Sequence, residues 1–271
     1  MTRALLCLAL VACSSPQQVT MTNDNTAPTW FRGVWKREWM REGKNPPTET
    51  RIVRDVQTPS VFGSVRIPLA RPAITATSFD ELDDAQLRAL LEQKGFAGVA
   101  TFEDRVALWE HQIDFQPPDT PDTARLTQQS PTAVLEEGLD GNFAELWWNL
   151  APNDGRYLGV RFTRAGRVER ILSVVGDHFV YARNRARDLP RAESLAALAT
   201  NATRAELVEL LDCEFSYGFV HGGRVPWEIR HSTLPWREGQ SLVIAIDSPD
   251  ATVVVNTFAP EDLRVMFSAA R

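Results

Sequence analysis

Cysteine is scarce in this chain of 271 residues, which holds three, Cys7, Cys13 and Cys213, and no CxxC pair that could hold a metal. Removal of a leader would delete Cys7 and lipidation would consume Cys13, leaving Cys213 alone, so no intramolecular disulfide is expected. Histidine is also sparse, and His111, His178, His221 and His231 show neither HxH nor i,i+4 spacing, so a metal site has no support. No apolar run is long enough to cross a bilayer as a helix; the N-terminal one covers nine residues, 4–12. No block of Lys and Arg interrupts the balance of 29 basic and 35 acidic residues, net −6, and nucleic acid is not an expected partner, because phosphate binding rests on clustered positive charge. GxSxG, GxGxxG and a glycine-rich phosphate loop are absent. Hydrolase, dinucleotide and kinase readings therefore lack positive evidence, and no cofactor is implied.

What is present is a composition fit for a substantial core, 44% hydrophobic and 24% charged. The length allows one large β architecture or two packed halves. Leu10-Val11-Ala12-Cys13, after Arg3 and the short apolar run, resembles a bacterial lipobox, with Cys13 as the lipidated thiol and residues 17–27 as a polar tether. That reading implies an outer-membrane or periplasm-facing lipoprotein touching membrane only through Cys13. The alternative is a cytoplasmic protein whose translation starts at Met21.

From Trp30 onward, short runs of β-branched and aromatic residues alternate with turn signals, the pattern of an antiparallel β protein. Hairpins are expected for 51–58 with 61–68, 95–102 with 106–115, and 157–163 with 168–175 around Arg164-Ala165-Gly166-Arg167. A strand at 178–183 and a closing pair, 241–247 with 252–258, follow. Ser78-Phe79-Asp80-Glu81 reads as a capping box opening a helix near 79–94 that stops at Gly95. The stretch 191–211 reads as two short helices broken near Asn201, with Asn201 or Thr203 capping the second. The expected fold is mainly β: an antiparallel lipocalin-like barrel, or two abutting barrels, because closure removes exposed strand edges. The expected organisation is a leader or tether (1–27), an N-terminal barrel half (28–150) and a C-terminal β half with the helical insertion (155–271).

Candidate functional residues follow from polar groups set among large apolar ones on alternating faces. Trp35, Arg37, Trp39 and Arg41 fall on one face by the period of two; they either line a pocket for an aromatic or anionic ligand or plug a barrel end. His111 shares a face with Trp109, Ile113 and Phe115, which makes it a candidate acid/base with Asp114 nearby, or else a histidine satisfied within the core. Glu145 alternates with Trp147 on a strand whose other face carries Trp148, so burial on both sides is expected, with Arg66 or Arg161 as the counter-charge. Glu136-Glu137 reads as the solvated end of a strand. Tyr217, on the strand Glu214–Phe219, can place its hydroxyl in a cavity. Cys213, without a basic neighbour in sequence, reads as a packing residue.

Val61-Phe62-Gly63-Ser64-Val65-Arg66-Ile67-Pro68, Gly95-Phe96-Ala97-Gly98, Trp109-Glu110-His111-Gln112-Ile113-Asp114, Leu135-Glu136-Glu137-Gly138 and Ala144-Glu145-Leu146-Trp147 together resemble the fungal Hri family of lipocalin-like proteins. The likeness covers about 51–148; the segment 232–239 has no counterpart. It implies a calycin-type barrel and supplies no catalytic residues. The leading expectation is a barrel holding a small, largely apolar or aromatic molecule, with Arg66, Trp35, Trp39, Trp109, Trp147, Arg161 and Tyr217 in contact with it and His111 and Glu145 as polar anchors. The alternatives are a cofactor-independent isomerase, cyclase or lyase using His111, Glu145 and Asp114, and an interaction module with a filled barrel. The sequence names neither the ligand nor the oligomeric state.

Overall fold

The computed structural model describes residues 18–21, 27–117, 122–152, 155–244 and 250–256. A short strand, β1 (Gln18–Met21), precedes the barrel strands β2 (Gly33–Glu42), β3 (Arg51–Gln57), β4 (Phe62–Pro68), β5 (Lys94–Glu103), β6 (Val106–Asp114), β7 (Asp122–Ser130), β8 (Ala133–Gly138) and β9 (Phe143–Pro152). All neighbours are antiparallel, and β9 pairs back onto β2 to close an eight-stranded barrel. Then come β10 (Tyr157–Arg164), β11 (Arg167–Val175), β12 (His178–Arg183), β13 (Glu214–Phe219), β14 (Glu228–Ser232) and β15 (Asp250–Asn256). With β1 they make a seven-stranded sheet in the order β1-β15-β10-β11-β12-β13-β14. Only the N-terminal set of strands closes.

Two hairpin turns explain part of this order. Asp104 and Arg105 both take positive φ between Glu103 and Val106, as do Ala165 and Gly166 between Arg164 and Arg167. Two left-handed residues in a two-residue loop match the right-handed twist of the flanking strands.

The period of two divides each barrel strand between lumen and exterior. On β4, Phe62 and Arg66 face the lumen, while Val65 and Ile67 join the core between barrel and sheet, where Val56, Ala97 and Ile113 meet Ile171, Val180, Ala182 and Phe215. Close approach depends on two missing side chains: a Cβ on Gly63 would lie 2.5 Å from Val180 Cγ1, and one on Gly95 2.5 Å from Phe215 Cγ. The sheet's other face buries Leu158, Val160, Leu172, Val174, Phe179 and Trp227 in a separate core.

The helices seal one side of the seam. Helix α1 (Asp84–Leu90), α2 (Leu195–Leu198) and α3 (Arg204–Leu211) bury Leu87, Leu90, Leu195, Leu207 and Leu211 in the same core as the barrel exterior. Arg185, buried without a carboxylate, holds the two halves together by donating to the carbonyls of Leu210, Asp114 and Phe115.

Several expectations give way to local geometry. Ser78 makes no capping hydrogen bond; Glu81 instead accepts from the Thr77 amide and hydroxyl, and the capping box belongs to Asp83 and Gln86, so α1 starts later than expected. It ends before Gly95, which lies inside β5. Thr203, not Asn201, caps α3. Residues 241–244 form no strand beyond one bridge from Ser241 to Glu228, and 245–249 lie outside the described residues. Four residues of the expected tether pair in parallel with β15 as β1. Trp148 is 41% exposed, so β9 is buried on its lumen face alone.

The glycine contact yields a test. Gly95→Ala should lower stability by about 1–3 kcal/mol, the usual cost of forcing a methyl group into a packed core, and Phe215→Leu combined with it should recover part of the loss. Urea unfolding of the two variants measures both effects.

Candidate functional site

The antiparallel order puts the starts of β2, β4, β6 and β8 and the ends of their partners at one end of the barrel, and the opposite termini at the other. The two ends differ chemically. At the first, Phe31 stacks on Trp35 at 5.3 Å and packs edge-on against Phe102 and Trp109. Ala100, Ala107, Ala124, Leu126 and Val134 fill the lumen behind them with almost no accessible surface. That half is filled by side chains.

Toward the second end the lumen turns polar. Each strand in turn contributes one inward side chain: Arg37, Asp55, Arg66, Phe96, His111, Asp122, Glu136 and Glu145. Arg37, 4% exposed, donates from Nη1 to Glu145 Oε1 at 2.6 Å and from Nε to Glu49 Oε2 at 2.8 Å. Burial works against the charge of Arg37, but its hydrogen bonds to Glu49 and the field of Glu145 outweigh it and hold the guanidinium above its ordinary range. Arg66 stands 3.9 Å from the same Glu145 oxygen, donates Nε to Ser64 at 3.2 Å, and lies over Phe96 at 4.5 Å and Trp147 at 5.9 Å.

Phe96 also stacks on His111, with centroids 4.3 Å apart and planes 8° from parallel. His111 Nδ1 meets Asp114 Oδ1 at 2.8 Å and Nε2 meets Asp122 Oδ2 at 3.2 Å. Burial disfavours its charge, yet the two carboxylates win and raise its pKa to about 9. The ring is thus an imidazolium at neutral pH, with both nitrogens engaged. The carboxyls deeper in respond the other way: burial raises Asp55 to about 6 against the pull of Arg66, and burial with the charges of Glu145 and Asp122 pushes Glu136 well above the carboxylate range. Asp55 Oδ1, Glu145 Oε2 and Trp147 Nε1 are buried and have no hydrogen-bond partner. Two acceptors and one donor thus face the lumen.

The ring opens outward into a cavity of about 270 Å³ between the β2–β3 loop and the ends of β4 and β5, with Arg37, Glu49, Arg51, Arg66 and Lys94 in its wall. A larger groove of about 590 Å³ lies away from the barrel, over α2 and α3. Its charged wall includes Arg187 and Glu209, a loose surface pair at 3.8 Å, and the unpartnered atoms of Asp55, Glu145 and Trp147 belong to neither wall. The buried ion pair of Arg37 with Glu145 at the wall of the barrel cavity, rather than volume, singles out that end.

The structure brings together His111, Asp114, Glu145, Arg66, Trp35, Trp109 and Trp147 on the lumen, but divides the expected acid/base set between an imidazolium held by two aspartates and a glutamate held by Arg37. Trp39 does not join them. A bulge between Arg37 and Trp39 shifts the register against β9, so Trp39 pairs with outward Leu146 and Met40 with Glu145, and Arg41 is exposed. Arg161 belongs to β10 in the second sheet and is not Glu145's counter-charge; Arg66 is within 3.9 Å of it as expected, and Arg37, not foreseen, is the closer partner. Tyr217 lies on the barrel–sheet seam, its hydroxyl 2.8 Å from His178 Nδ1, rather than in the lumen. Cys213 is fully buried, and burial pushes its thiol up, as suits a packing residue. Cys13 lies outside the described residues.

Sequence reading missed Asp55, Glu136 and Asp122. Alternation from inward Val134 would have turned Glu136 into the lumen instead of to solvent. Asp122 closes a proline-rich segment whose strand character was not legible, and Asp55 sits in Arg51–Gln57, where both faces are partly polar.

No protein-family model matches the chain, and no curated protein matches it. Among solved structures, the crystal structure of the uncharacterized protein YLR301w from Saccharomyces cerevisiae is similar over 74% of this chain and 84% of that chain, at 14% identity and a TM-score of 0.46.

Two outcomes follow from the charges. The folded-state pKa of His111 near 9 exceeds its ordinary 6.5, so its contribution is complete below about pH 6.5 and is lost as pH rises through about 9. Stability should fall over that window by up to about 3 kcal/mol, and His111→Gln should flatten the slope in urea unfolding. Arg37→Met should cost about 3–5 kcal/mol by leaving Glu145 and Glu49 without their cation, with Glu145→Gln restoring part of it in the same assay.

Proposed function

We propose that this protein is a lipocalin-like binder of a small, largely apolar or aromatic molecule that enters the barrel at its second end and is oriented there by Arg66 and Glu145. The observation that carries the reading is the axial division of the lumen: one half is packed with aromatic and aliphatic side chains, and the other holds buried polar atoms without partners next to a cavity. An interior meant only to be filled would be at least as stable with apolar residues in place of buried ion pairs. The packed first half limits the ligand to the polar end, so the bound molecule is smaller and more polar at one edge than a long-chain lipid.

The reading of His111 and Glu145 as an acid/base pair has less support, because both imidazole nitrogens are taken and the ring keeps its proton at neutral pH. The Hri-like reading of 51–148 belongs to the same proposal; its support is that the quoted segments fall on β4, β5, β6, β8 and β9 of the closed barrel. Anchoring through Cys13, with the outer-membrane or periplasm-facing placement it implies, is part of it as well.

Native mass spectrometry of the purified full chain, combined with tryptophan quenching by 2-naphthalenemethanol, tests the proposal. The expected result is saturable one-to-one binding, weakened about tenfold by Arg66→Met, the worth of one cation–π contact to the probe's ring, and unchanged by Leu198→Arg in the α2–α3 groove. Failure to bind the probe, or loss of binding with the groove variant alone, contradicts it.

A further inference from the structure

We propose that the second-end cavity is an anion subsite, built to take the carboxylate or phosphate of a small metabolite through Arg51, Arg66 and Lys94; the inference rests on the reading of the barrel as a small-molecule binder. The wall carries four cations, Arg37, Arg51, Arg66 and Lys94, against two carboxylates, Glu42 and Glu49. Their hydrogen bonds are unevenly committed. Glu49 has both oxygens taken, by Arg37 Nε and Nη2 and by the Arg51 amide. Arg37 is in turn held by Glu49 and Glu145. The other three cations are left with donors that no carboxylate closes upon. Arg51 gives Nη1 to the Glu92 carbonyl, Arg66 gives Nε to Ser64 with its nearest carboxylate at 3.9 Å, and Lys94 has no ion-pair partner among the described residues.

The electrostatics agree with this count. Burial and then the neighbouring cations hold Arg51 and Lys94 below their ordinary ranges, Arg37 and Arg66 repelling the first, and Arg51 and Arg66 repelling the second. An anion in the cavity would relieve that repulsion and supply acceptors for guanidinium and ammonium donors at once. Size sets the ligand class: about 270 Å³ admits a head group with a small ring or short chain, not a whole lipid.

A matched set of probes tests the subsite on the full chain: 2-naphthoate, 2-naphthyl phosphate and neutral 2-naphthalenemethanol, titrated by fluorescence at low and high salt. The expected result is that at least one anionic probe binds about tenfold or more tighter than the neutral one, the worth of one charge-assisted contact. The preference should shrink with salt and disappear in Arg51→Met/Lys94→Met, while the neutral probe's affinity stays within about twofold. Which anion is preferred separates carboxylate from phosphate. Equal affinity for all three, or a preference that survives the double variant, overturns the anion subsite and leaves the barrel reading standing; absence of binding by every probe overturns both.

Discussion

The hydrogen-bonded triad of Glu49, Arg37 and Glu145 is the constraint on which the second end of the barrel depends. Arg37 and Glu145 sit on β2 and β9, the pair of strands whose meeting closes the cylinder, and Glu49 comes from the loop that leaves β2. A charge inside a closed barrel cannot turn to water, so it must be neutralised by other side chains or by a proton. Arg37 has two carboxylates, His111 has two, and Glu136 is pushed well above the ordinary carboxylate range by burial and the charges of Glu145 and Asp122, against the pull of Arg66. The distribution of charge around the ring is thereby fixed by strand register, and the excess positive charge lies on the side of β3, β4 and β5, facing the cavity.

The second sheet determines which end stays available. It lies against the outer faces of β3 and β4, brought close by the bare backbone at Gly63 and Gly95, and Arg185 fastens it to the last residues of β6 through three carbonyls. The seam buries His231 with Tyr217, His178 and Arg54, and burial with the surrounding arginines pushes His231 down to about 4, so this contact favours neutral over acidic conditions. The wall that carries Arg51, Arg66 and Lys94 lies above this seam rather than within it.

Much of the barrel was legible in the sequence because half-buried strands announce themselves by alternation. His111 with Trp109, Arg66 with Phe62, and Glu145 with Trp147 share faces as the period of two requires, and the turn before Arg167 has the positive φ that Gly166 takes without strain. What alternation cannot show is an extra residue. The bulge at Arg37/Trp39 reverses the parity of β2 halfway along, which is why Trp39 and Arg41 leave the lumen and Met40 enters it. Capping rules were right in kind but not in place: Ser78 and Asp83 each precede an acceptor at the third position, and only the second is followed by Leu87 and Leu90 in contact with the core. Ion-pair partners are set by tertiary register, so the choice of Arg37 over Arg161 for Glu145 could not be read locally.

Ligand binding at the second end requires a lumen packed at one end and receptive at the other. A crystal structure of the full chain with 2-naphthoate or 2-naphthyl phosphate examines this most directly. The expected result is ligand density at the second end, with the acidic group near Arg51 and Arg66; density confined to the α2–α3 groove, or a ligand inserted among Trp35, Trp109 and Leu126, would contradict it.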